Sequence, residues 1–86
     1  MSSDGFRRRL LSSKVVNCTY SRGEVVGLIS AWLHQGRFVL TWEECPVGQQ
    51  YDESTYTRDE RYEFASAEDV LTFVESGGYP ASAFDP

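Results

Sequence analysis

The chain has 86 residues, the length of one domain. With 41% hydrophobic and 24% charged residues, it has the composition of a folded globular protein, not of a disordered segment. Thirteen acidic side chains against eight basic ones give a net charge of −5, which excludes a generally basic nucleic-acid binder. The longest mostly apolar run, Val25 to Leu33, falls short of the ~20 residues a membrane helix needs.

Residues 1–12, with Arg7, Arg8 and Arg9, read as a basic flexible tail preceding a single domain over 13–86. Leu10 and Leu11 run directly into Ser12, Ser13 and Lys14, so the arginines lack the apolar stretch of a secretory signal, and a cytoplasmic location is expected. Lys14 to Tyr20 places Val16, Cys18 and Tyr20 on one parity, the mark of a short half-buried strand. Ser21-Arg22-Gly23-Glu24 has the form of a helix capping box. At about 100° per residue, Val25, Val26, Leu28, Ile29, Trp32 and Leu33 then fall in one arc, and Gly36 sits where a helix terminator belongs. This spacing predicts a helix. The competing reading is a strand, because Val25, Val26 and Ile29 favour strands and His34-Gln35-Gly36-Arg37 can make a hairpin turn before Phe38.

Arg37 to Glu44 is the clearest strand, with Phe38, Leu40 and Trp42 on one face. Cys45 to Ser54, containing Pro46 and Gly48, reads as a loop. A further strand is expected over Thr55 to Phe64, where Arg58 and Glu60 are same-face neighbours able to pair. Ser66 caps a second helix whose buried stripe is Ala67, Val70, Leu71, Phe73 and Val74, and Gly77-Gly78 ends it. Tyr79 to Pro86 is read as an edge strand or a cover over the core. The predicted fold is a two-layer α+β sandwich, an antiparallel sheet with helices on one face. Its element order is ferredoxin-like βαββα(β), or, if Val25–Leu33 is a strand, a four-stranded meander followed by a C-terminal helix.

No motif for chemistry emerges. The only histidine is His34, and there is no nucleophile elbow, dinucleotide fingerprint or phosphate loop. Cys18, His34 and Cys45 do not have the paired spacing of a zinc site, and Asp52-Glu53-Ser54-Thr55 lacks the glycine of a calcium loop. No cofactor, metal or enzymatic activity is expected. Cys18 and Cys45 read as reduced thiols, one buried and one in a loop, with a single bridge as the alternative.

Charge is divided along the chain. Residues 1–37 carry +4, whereas residues 38–86, with two basic and eleven acidic side chains, carry −9. Tyrosines interleave with carboxylates from Trp42 through Tyr62, and rings that anchor beside acids that steer suit a protein interface. Glu43, Glu44, Tyr51, Asp52, Glu53, Tyr56, Asp59 and Glu60 are the candidate partner-binding residues. The expected partner is a protein with a basic, nucleic-acid-handling surface, which the chain would inhibit or regulate. Bacterial immunity proteins and phage-encoded inhibitors share this size and acidity, an analogy of size and charge alone. One alternative is nucleic-acid binding through Arg7, Arg8, Arg9 and Lys14, disfavoured by the acidic remainder. Another is a homodimer or larger homo-oligomer with a structural or accessory role, in which the basic front of one copy meets the acidic back of the next.

Overall fold

The structure is a computed structural model and describes residues 1–85. Ser3–Leu11 forms helix α1, followed by strands β1 (Val16–Arg22), β2 (Val25–His34), β3 (Arg37–Pro46) and β4 (Arg58–Phe64), helix α2 (Ala67–Ser76) and a short 3₁₀ turn at Ala81–Ala83. The four strands pair antiparallel in the order β1-β2-β3-β4. The α+β class and the antiparallel sheet are as expected. The ferredoxin-like order is not followed: the sheet is the meander, with a helix at each end of the chain.

Two predictions are corrected. Val25–His34 is a strand, and its Ser21–Glu24 capping box is a hairpin. Arg22 pairs with Val25, leaving Gly23 and Glu24 as a two-residue loop, with Gly23 at φ +62° where a type II′ turn requires positive φ. The next turn is Gln35-Gly36, at φ +51° and +78°, the double positive-φ signature of type I′. Two tight turns whose twist matches the sheet fix the register on both sides of this segment. Its apolar residues then divide between the two faces instead of lining one helical arc.

The other correction concerns residues 1–12, which are not a flexible tail. Ser2 caps α1 by accepting from the Gly5 amide at 3.0 Å, and Asp4 lies in the first turn, where a carboxylate favours the helix N-terminus. Phe6 and Leu10, one turn apart, are both fully buried. The Phe6 ring meets Phe84 edge-on at 5.1 Å, and the Met1 ammonium donates to the Phe84 carbonyl at 3.2 Å. Two apolar residues among three arginines give a weak periodic signal, which hides the α1 stripe in the sequence.

α2 follows its predicted form. The Ser66 hydroxyl accepts from the Asp69 amide at 3.1 Å; Val70, Leu71 and Val74 are buried; and Gly78, at φ +94°, leads the chain away. Both helices contribute to one core with Val16, Cys18, Ile29, Ala31, Phe38, Leu40 and Trp42. These sheet residues lie across from one another in the register or, like Phe38 and Leu40, two apart on one strand, and so share one face, which the helices cover, leaving the other bare. Tyr79 to Asp85 lies over the core and adds one bridge: Asp85 and Asn17 exchange both backbone hydrogen bonds, at 2.7 and 3.1 Å, which occupies part of the β1 edge. Pro86 lies outside the described residues.

Candidate functional site

The bare face is read from the strand register. Asn17, Thr19 and Ser21 of β1 lie across from Ser30, Leu28 and Val26 of β2, which lie across from Thr41, Glu43 and Cys45 of β3. Asp59 and Arg61 continue the Glu43 and Thr41 rows onto β4. A 2.7 Å hydrogen bond from the Ser30 hydroxyl to the Asn17 side chain runs across this face. Leu28 is exposed on it. Val39 and Cys45 are buried although both belong to the bare face, Val39 among its neighbours there and Cys45 at the end where the loop between β3 and β4 begins.

That loop turns one end of the bare face into a cleft of about 540 Å³, lined among others by Thr19, Val26, Leu28, Glu43, Cys45 and Tyr56. Val26, Leu28 and Cys45 give the lining an apolar part, and Glu43 and Glu44 bring carboxylates to it. The loop is held by local bonds. Asp52 accepts from the Ser54 amide at 3.1 Å, the Tyr56 hydroxyl donates to the Gln50 carbonyl at 2.7 Å, and the Thr57 amide donates to the Glu44 carbonyl at 2.8 Å. Burial pushes the Tyr56 hydroxyl pKa up, and the nearby carboxylates of Glu43, Glu53 and Asp59 push it the same way. Glu43 and Asp59 are direct cross-strand partners of like charge, an arrangement that destabilises a sheet. Among the described residues, neither makes an ion pair within the chain.

The eight candidate acidic and tyrosine residues are therefore divided between faces. Glu43, Tyr56 and Asp59 come together on the bare face, with Glu53 near Tyr56. Tyr51 is fully exposed, and Asp52 lies beside it on the loop. Glu44 and Glu60 have the opposite parity and are engaged on the helix-covered face. The Tyr20 hydroxyl donates to Glu44 at 2.5 Å and accepts from the Trp42 indole N–H at 2.9 Å. Burial, then the bond to Glu44, pushes Tyr20 up to about 12.

Arg58 lies 3.7 Å from the Trp42 ring centre and donates to Glu60 at 2.7 Å, which is the expected Arg58–Glu60 pairing. Tyr62 donates to the same Glu60 oxygen at 2.7 Å. The Tyr62 bond, joined by Arg58, holds the Glu60 carboxyl below its ordinary range against the opposing effect of burial. Both acids are half-buried and bonded to neighbouring side chains, although Glu44 also lines the cleft.

The arginines of the alternative site are also partly engaged. Arg7 pairs with Asp4 at 2.9 Å and with Glu68 of α2, and Arg9 donates to the Val15 carbonyl at 2.8 Å. Arg8 and Lys14 are exposed beside a shallow depression of about 290 Å³.

Cys18 and Cys45 are both free and buried, on opposite faces of the sheet. Cys45 and Pro46 are the last residues of β3, which runs into the segment expected as a loop. Among the described residues no group of three or more His, Cys, Asp or Glu side chains is placed to hold a metal ion, and no helix is long and apolar enough to cross a membrane.

Sequence reasoning missed Thr19, Val26, Leu28 and Cys45 as cleft residues. A helical reading of Val25–Leu33 puts Val26 and Leu28 in one apolar arc with Ile29 and Trp32. The signal that finds them is the Gln35-Gly36 turn, which makes β2 a strand and divides its apolar residues between faces. No protein-family model matches the chain, and neither a curated protein nor a solved structure matches it.

Proposed function

We propose that this protein works by binding another macromolecule, a protein with a basic surface, through the acidic end of its bare sheet face, without catalysing a reaction. The observation that carries the reading is Glu43 beside Asp59, two like charges held cross-strand and, among the described residues, unpaired within the chain, with Glu43 lining a cleft that Val26 and Leu28 also line. A sheet pays for such a pair in stability, and a cationic partner would return that cost. Elsewhere the fold neutralises comparable acids internally: Glu60 by Arg58, Glu68 by Arg7. On the bare face Glu63 pairs with Arg37 in the same way, whereas among the described residues Glu43 and Asp59 make no such pair. Regulation or inhibition of the partner follows if the docked surface is the one the partner uses for nucleic acid. The arginine-arm alternative loses weight because Arg7 and Arg9 are already bonded within the chain.

The test compares the parent with an E43K/D59K variant as baits for capture from the native lysate, at about 0.15 M and about 1 M salt, where screening lengths fall from ~8 to ~3 Å. The reading expects one stoichiometric protein, held by the parent at low salt and lost both at high salt and in the variant, with the variant's melting temperature maintained. Capture that survives the charge reversal contradicts it.

A further inference from the structure

The structure assigns the cleft beside Tyr56 to the side chain of an arginine presented by the partner. This inference rests on the partner-binding reading above and names what enters the site.

Three features of the cleft converge on that side chain. Its volume, about 540 Å³, lies within the ~300–1,000 Å³ range of sites that enclose a small ligand. Val26 and Leu28 offer an apolar surface to the aliphatic stem of a long basic residue, which buries its methylenes while keeping its charge near polar groups. Glu43 and Glu44 line the cleft, Glu44 already accepting from Tyr20, and Asp59 is Glu43's cross-strand neighbour on the same face just beyond the lining, so a cationic head in the cleft meets Glu43 first. Among the described residues, no lysine or arginine lines the cleft to compensate Glu43.

Arginine fits better than lysine. Its planar guanidinium has five donors for two carboxylates and stacks on aromatic rings, whereas an ammonium is a compact, more strongly hydrated charge. Tyr56 supplies a ring at the cleft. The same sheet already uses this combination on its covered face, where Arg58 lies over Trp42 and donates to Glu60. On the bare face Tyr56 and Glu43 line the cleft, and among the described residues no guanidinium of the chain lines it; Arg61, two residues from Asp59 on the same face, makes no ion pair.

The test is a titration of the ¹⁵N-labelled full chain with the capped tripeptide acetyl-Gly-Arg-Gly-amide, followed by amide chemical shifts. The neutral citrulline analogue is the control, with the lysine analogue alongside. The expected result is a saturable set of shifts centred on Leu28, Glu43, Cys45 and Tyr56, weaker with lysine and absent with citrulline. Glu43→Gln keeps the side chain's shape and relieves the like-charge pair, so it should remain folded and bind the arginine peptide roughly tenfold more weakly. Absence of saturable shifts overturns the assignment. So do equal shifts from citrulline, or shifts centred on Asp52 and Glu53 or on Glu68 and Asp69. If the arginine peptide fails while E43K/D59K still abolishes partner capture, the arginine assignment falls and the binding reading stands. If the peptide binds as expected and capture survives charge reversal, the binding reading falls and the cleft assignment remains.

Discussion

Gly27→Ala should destabilise the protein far more than a methyl group in a strand normally does. Gly27 lies opposite Tyr20 across the β1–β2 ladder, and the tyrosine ring crosses directly over it. A Cβ at Gly27 would stand 2.1 Å from Tyr20 Cζ and 2.4 Å from its Cε1 and Oη, so the ring must leave. Its departure breaks three contacts: the bond to Glu44, the bond from the Trp42 indole, and the ring contact with Tyr79 at 4.6 Å between centroids. Trp42 is only 2% exposed, so its N–H loses its partner away from solvent. An unpaired buried donor costs about 1–3 kcal/mol. The lost aromatic pair adds roughly 0.5–1.5 kcal/mol, against a gain of about 0.5–1 kcal/mol from replacing a strand glycine.

The net loss is about 2 kcal/mol, a sizeable part of the ~4–13 kcal/mol expected for a chain of this length. It corresponds to a melting-temperature drop of roughly 8–16 °C. Urea unfolding of the parent, Gly27→Ala, Tyr20→Ala and the double variant gives the coupling directly. Because Tyr20→Ala already removes the ring, the second substitution should cost little in that background. Neutral or stabilising behaviour of Gly27→Ala in the parent would refute the packing of Tyr20 on Gly27.

Other outcomes follow from the same contacts. Asp59→Asn should raise stability by about 0.2–1 kcal/mol in denaturant unfolding, since it removes one of two opposed like charges; a loss would contradict the account of that pair as a cost to the sheet. Phe6→Ala should cost about 3–5 kcal/mol, whereas a residue in a flexible tail would show no change in melting temperature. The Tyr20 value of about 12 lies above the ordinary 10, so the protonated hydroxyl's contribution is intact below about pH 10 and is lost as pH rises through about 12. Tyr20→Phe should therefore show a shallower alkaline decline in stability than the parent. Cys18 and Cys45 should remain unbridged under mild oxidation of the folded protein, as read by intact mass, because the sheet lies between them.

The sequence was most legible where local chemistry and pattern agree. Ser66, the acids after it and the apolar stripe through Val74 define α2, and the alternation around Phe38, Leu40 and Trp42 defines β3. Val25–His34 was ambiguous because its apolar residues serve two surfaces. Gly27, Ile29 and Ala31 face the helices, while Val26, Leu28 and Trp32 face the cleft side, and a strand apolar on both faces mimics a helical arc. The turn chemistry of Gln35-Gly36 was the better guide. The site was legible as a stretch and not as a surface. Alternation along β3 and β4 sends Glu43 and Asp59 to one face and Glu44 and Glu60 to the other, and which face the helices cover depends on tertiary packing. The cleft itself is lined both by Leu28 and by Gln50 and Tyr56 of the loop, residues far apart in the chain.

The central claim is that the acidic end of the bare face is the docking surface. Its most direct test is an amide chemical-shift map of the ¹⁵N-labelled protein with the purified captured partner. The account predicts that the largest changes fall on Thr19, Val26, Leu28, Glu43, Cys45, Tyr56 and Asp59 and diminish as salt is raised. Changes centred on the helix-covered side, at Arg8, Lys14, Glu68 and Glu75, would contradict it.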